Sequence, residues 1–135
     1  ARQLIWNMDM NLLQHYWITG VGPGRVYTVM QLQSFVRMLH HPLPDLYHDP
    51  HNEYIYEWLC FGVAGIILLA GTFVWHLRRS LTTKNQLYLC LMVLIAATCF
   101  TECILSQQRG IMFYSFFTAL FFFVPKESDA TVSPS

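Results

Sequence analysis

Apolar residues fall into three long runs in the second half of the chain, preceded by two weaker, periodic patterns. Residues 58–77 are 20 consecutive positions without a formal charge, with His76 close to the end. As a helix rising 1.5 Å per residue they reach about 30 Å, the thickness of a bilayer's hydrocarbon core. Arg78 and Arg79 follow at once, and Trp58 and Trp75 stand near the two ends, where indole rings prefer the membrane interface. The second run, residues 86–106, has Glu102 as its only charge. Residues 78–85 join the two runs, so short a connection that the helices are expected side by side and antiparallel. The pattern therefore predicts an all-α membrane protein built on a two-helix transmembrane hairpin over residues 58–106.

The third run, residues 111–124, contains Phe113, Phe116, Phe117, Phe121, Phe122 and Phe123. Its length gives only about 21 Å of helix, short of a span. Residues 107–125 read instead as an interfacial or partner-packed segment, or a short third membrane segment, closed by Pro125 and followed by a polar tail at 126–135. Before the hairpin, Leu4, Met8, Leu12 and Tyr16 recur at helical spacing. Val29, Leu32, Val36 and Leu39, with Phe35, mark a second amphipathic helix over about 26–40. The glycines at 20, 22 and 24, with Pro23, break the chain between them; Pro42, Pro44 and Pro50 make an extended connector. Residues 1–57 thus form a peripheral segment expected to lie on the membrane or against other subunits.

Composition agrees. Hydrophobic residues make up 54% of the 135 positions and charged residues 12%, against roughly a quarter charged in soluble domains. Eight basic and eight acidic residues cancel, leaving no field to attract nucleic acid. The charges are nevertheless sorted. Arg78, Arg79 and Lys84 lie between the runs with no acid, whereas Asp45, Asp49, Glu53 and Glu57 precede the first run with no Lys or Arg. By the positive-inside tendency the 78–85 loop should face the cytoplasm or mitochondrial matrix, and residues 1–57 the other side.

No pattern names a reaction. Cys60, Cys90, Cys99 and Cys103 lack CxxC or CxxH spacing and read as small apolar packing residues. His40, His41, Asp45, His48 and His51 gather imidazole and carboxylate that suit a transition metal, but Pro42, Pro44 and Pro50 oppose a preformed site, and a polar linker is the simpler reading. Glu102 stands inside an apolar run, where a charge marks a proton path, a cation on a partner helix, or a side chain reaching the interface. Gly62 and Gly65 on the first run, and Ala96, Cys99 and Cys103 on the second, form small-residue stripes suited to helix packing. The run at Gly20-x-Gly22-Pro23-Gly24 reads as a turn, because Pro23 removes a donor that a phosphate loop needs. There is no nucleophile elbow and no Asn-x-Ser/Thr site. Residues 12–18 do not read as a secretory signal, since Gln14 and His15 interrupt them; a chain opening on Ala1 is expected of a processed or internal start.

In this layout, a short hairpin with a basic loop, an amphipathic front segment and an aromatic third run, the chain is similar to small accessory subunits of energy-transducing membrane complexes. The resemblance implies a structural, non-catalytic role without cofactors, bound lipid excepted. It also implies other membrane subunits as partners and the mitochondrial inner membrane, as part of a respiratory-chain or ATP synthase complex. The alternatives are a metal- or haem-binding redox subunit using the 40–53 cluster, and a proton-conducting element or small transporter centred on Glu102.

Overall fold

The computed structural model describes residues 2–38 and 50–123, and these are helical with no strand among them. Five helices follow in order: α1 Arg2–Tyr16, α2 Val26–Met38, α3 Glu53–Thr82, α4 Gln86–Thr98 and α5 Gln108–Phe123. His40, His41, Asp45 and His48, and the tail at 126–135, lie outside the described residues.

The 30-residue α3 organises the rest and is the one described helix long and apolar enough to cross a membrane. Asn52 caps it: its side-chain oxygen accepts from the backbone N–H of Ile55 at 3.1 Å, satisfying a donor that has no partner within the helix. The helix does not stop at Leu77. No breaker follows the arginines, so it runs on to Thr82 and carries Arg78 and Arg79 on its last turns. The joint to α4 is accordingly shorter than the eight residues expected. Lys84 takes a positive φ of 53°, its N–H donates to the Leu81 carbonyl at 3.1 Å, and Asn85 at once caps α4 by accepting from Tyr88 N–H.

The second apolar run is divided. α4 has 13 residues, about 20 Å of helix, and hydrogen-bonded turns occupy the stretch from Cys99 to α5. The cause lies in α3. Its first turn presents N–H groups and side chains to the end of α4: Glu53 N–H donates to the Cys99 carbonyl at 2.8 Å, Asn52 Nδ2 to Phe100 at 3.3 Å, and the Tyr54 hydroxyl to Ala96 at 3.0 Å. Two of these carbonyls, those of Cys99 and Phe100, would have accepted the next turn of α4.

Two apolar cores are strung along α3. At its start, Leu12 and Leu13 of α1 and Val26 and Met30 of α2 close over Ile55, Leu59 and Cys60. Further along, Phe73 packs with Tyr88, Met92, Ile95 and Cys99, flanked by Tyr114, Phe121 and Phe122 of α5. α4 runs antiparallel to α3, since Tyr54 meets Ala96 while His76 meets Tyr88. α5 returns along α4, bringing the Phe121 carbonyl to Asn85 Nδ2 at 3.3 Å. α2 shows a reversal of the periodic reading: Val26, Met30 and Ser34 are buried, whereas Leu32, Phe35 and Val36 point outward.

Candidate functional site

The least ordinary feature of the chain is a backbone crossing at Gly62. There α3 is interrupted by one residue with φ 64° and ψ −151°, a region open to glycine almost alone. The break releases backbone groups that a continuous helix would pair internally. The segment after α1 takes them up. Val21 N–H donates to the Leu59 carbonyl at 2.7 Å, Gly22 N–H to that of Cys60 at 3.1 Å, and Val63 N–H to that of Trp17 at 3.0 Å. The Trp58 indole adds a fourth bond, to the same Trp17 oxygen, at 3.0 Å. Irregular backbone within an apolar segment is tolerable when protein satisfies its polar groups, and here it does.

The approach leaves no room for a side chain on either strand of the crossing. A Cβ on Gly62 would lie 2.0 Å from the Ile18 oxygen, and one on Gly20, itself at φ 67°, would lie 2.7 Å from the Cys60 backbone. Gly65, on the far side of the break, faces the Glu57 carbonyl and Phe61 Cβ of its own helix. Ala96, Cys99 and Cys103 lie elsewhere: Ala96 and Cys99 pack in the second core, and Cys103 is buried in the turns that follow. The two small-residue stripes therefore serve different contacts. In the sequence, the pairing of Gly20 with Gly62 had no local mark beyond the glycines themselves.

A polar latch fastens the start of α3 to the turns between α4 and α5. Glu53 is fully buried; its carboxylate accepts from Leu105 N–H at 2.7 Å, Ser106 N–H at 3.3 Å and the Ser106 hydroxyl. Its place in the first turn of α3 also sets the negative charge against the positive end of the helix dipole. Glu102 sits on the rim of this latch rather than within a helix, with His51 Nδ1 3.2 Å from its Oε2. At the opposite end, the Tyr88 hydroxyl is hydrogen-bonded to His76 Nδ1, and Tyr114 meets the His76 ring edge-on. Phe122 stacks on Trp75 at 5.7 Å and receives the Arg79 guanidinium at 5.0 Å. No group of three or more His, Cys, Asp or Glu side chains among the described residues is arranged to hold a metal ion.

Along α3, α4 and α5 the outer surface is largely apolar. Only 28% of the most apolar stretch of α3 is buried. Ile67, Leu68 and Trp75 of α3, Leu87, Val93 and Leu94 of α4, and Met112, Phe116 and Phe123 of α5 are all exposed, Leu68 by 71% and Phe123 by 76%. A shallow groove along α4, lined by Cys90, Val93, Leu94, Ala97 and Thr101, continues this surface. No family model, curated protein or solved structure matches the chain.

Proposed function

We propose that the chain is an integral membrane protein that acts as a non-catalytic structural subunit of a multi-subunit membrane complex. The observation that carries the reading is the exposure of α3. The core helix of a water-soluble protein hides its apolar residues; in this one only 28% of the most apolar stretch is buried, and the rest is partly or fully exposed. Exposed apolar surface far larger than a few hundred Å² marks a membrane or protein contact. After the break at Gly62, residues 63–82 supply 20 helical positions, about 30 Å, of which the uncharged residues 63–77 cover about 22 Å while Arg78, Arg79 and the last turn reach up to the head groups. α4 and α5 pack beside that span in a hairpin-like arrangement.

Orientation follows from the charges: Arg78, Arg79 and Lys84 at the α3–α4 joint on the cytoplasmic or matrix side, and residues 1–57 opposite. An energy-transducing complex of the mitochondrial inner membrane, the respiratory chain or ATP synthase, is the setting supported by the layout of the segments. Bilayer lipid and neighbouring membrane subunits are the partners such a surface takes.

Extraction with alkaline carbonate, then purification in mild detergent with mass spectrometry of co-migrating proteins, tests the reading. The chain should stay in the membrane pellet and migrate with a defined set of membrane subunits. Release into the carbonate supernatant, or migration as a lone monomer, refutes it.

A further inference from the structure

We infer that the outer face of α2 is a membrane-seating surface, resting in the headgroup layer of a leaflet rich in anionic lipid. The inference rests on the membrane reading above and adds to it a second, peripheral contact with lipid of stated charge.

α2 has two apolar faces. Val26 and Met30 cover Ile55 and Leu59. The remaining arc exposes Tyr27, Leu32, Phe35 and Val36, with Thr28 and Gln31 the other residues on it and no charge among them. Facing water, such an arc is unfavourable; facing the boundary between headgroups and acyl chains it is the ordinary surface of an interfacial helix. The exposed Trp17 and Ile18 extend it. Their segment is bound through the Trp17 carbonyl to Trp58 Nε1 and Val63 N–H. Those bonds set α1 and α2 beside the point where residues 63–82 begin, which is the depth of a membrane interface.

Charge selects the occupant. Residues 10–44 contain no Asp or Glu, and their formal charges are Arg25 and Arg37. Arg25 is exposed at the start of α2, and an uncharged apolar face bearing aromatic side chains, with a cation at its end, is complementary to an anionic bilayer surface.

The full chain, with Cys90→Ser to remove its exposed thiol, is labelled with an environment-sensitive fluorophore at Phe35→Cys or at Leu68→Cys. It is then reconstituted in nanodiscs of phosphatidylcholine with or without phosphatidylglycerol. The label at 35 should be quenched by lipids carrying a shallow quencher, more strongly in the anionic discs. Arg25→Gln should lower the ratio of seated to unseated α2 there by about fivefold, the equivalent of about 1 kcal/mol for one arginine at an anionic surface. Quenching of the label at 35 by aqueous iodide in discs of every composition overturns the inference while leaving the span intact, provided the label at 68 responds to a deep lipid quencher. Shielding of position 35 only when a second protein is bound overturns it in favour of a protein contact. A label at 68 that escapes the deep quencher sinks the membrane reading itself, and this inference with it.

Discussion

Replacing Gly62 with alanine should detach the α1–α2 layer from α3. Two costs combine. The backbone at φ 64°, ψ −151° disfavours any side chain by about 1–3 kcal/mol. The new Cβ would also stand 2.0 Å from the Ile18 oxygen, so the crossing segment must withdraw. Withdrawal gives up three backbone hydrogen bonds, Val21 to Leu59, Gly22 to Cys60 and Val63 to Trp17, each contributing about 1 kcal/mol net. The sum is about 4 kcal/mol or more, comparable to the whole stability of a small domain. α3 has one escape: it can straighten through position 62 and let Val63 N–H return to the Leu59 carbonyl. That relieves α3 but still leaves Val21 and Gly22 without acceptors, so the layer detaches by either route. Cys60, now buried, reports the event. Its alkylation in mild detergent should accelerate roughly a thousandfold, each 1.4 kcal/mol of opening free energy being a factor of ten. Gly71→Ala is the control, because nothing lies within 4 Å of its Cβ position; removing a helical glycine there should be neutral or stabilising by up to about 1 kcal/mol. If Gly62→Ala leaves Cys60 protected and the unfolding midpoint unchanged, the crossing is not the bond between the layers.

Glu53→Ala should destabilise the chain by about 3 kcal/mol, because the part-buried N–H groups of Leu105 and Ser106 and the Ser106 hydroxyl lose the charged acceptor they share; Glu53→Gln should recover part of the loss in a denaturant or thermal series, and equal stability of all three proteins would refute the latch. Gly110→Ala should cost about 1–3 kcal/mol, as expected of overpacking, since its Cβ would fall 1.8 Å from the Ile104 carbonyl oxygen; an unchanged thermal midpoint would show that α5 does not dock there. Of the four cysteines, Cys90 alone is exposed, so maleimide should add once to the native protein and four times after denaturation, by intact-mass spectrometry. Two or more native adducts would contradict the described packing.

The helices were legible where hydrophobic periodicity or continuity decides them. α3 announces itself through its uncharged run, and α5 through its phenylalanines. The polar devices were not legible, because each is made by residues far apart in sequence. Glu53 reads as one of four acids ahead of a span, yet it is the buried anchor of the turns near Ser106, and those turns end α4 early. The same partners moved Glu102 from the interior of an expected helix to the rim of a latch. Gly62 read as a small residue for helix packing because one-dimensional spacing cannot show that Ile18 and Gly20 would meet it backbone to backbone. α2 was misread for a related reason: its apolar residues line two faces, and periodicity alone does not say which of them the protein covers.

Those distant contacts also explain why the outside of the molecule is so apolar. Glu53, Asn52, Tyr54, Asn85, His76 and Tyr88 all spend their polar atoms inside, on the ends of neighbouring helices. A buried carboxylate or amide without a partner costs several kcal/mol in a medium without water, so each must be satisfied within the chain if the exterior is to face lipid. On the proposed reading, association with neighbours then falls to shape: van der Waals contact along surfaces such as the α4 groove, where Ala97 and Thr101 would allow close approach. Internal latches and external apolarity are thus one arrangement seen from two sides. Breaking a latch should weaken assembly with other membrane proteins as well as the fold, whereas a change in the groove, such as Ala97→Leu, should weaken assembly while leaving the thermal midpoint of the isolated chain unchanged. If Ala97→Leu lowers that midpoint as much as Glu53→Ala does, the groove belongs to the chain's own packing and is not a surface for neighbours.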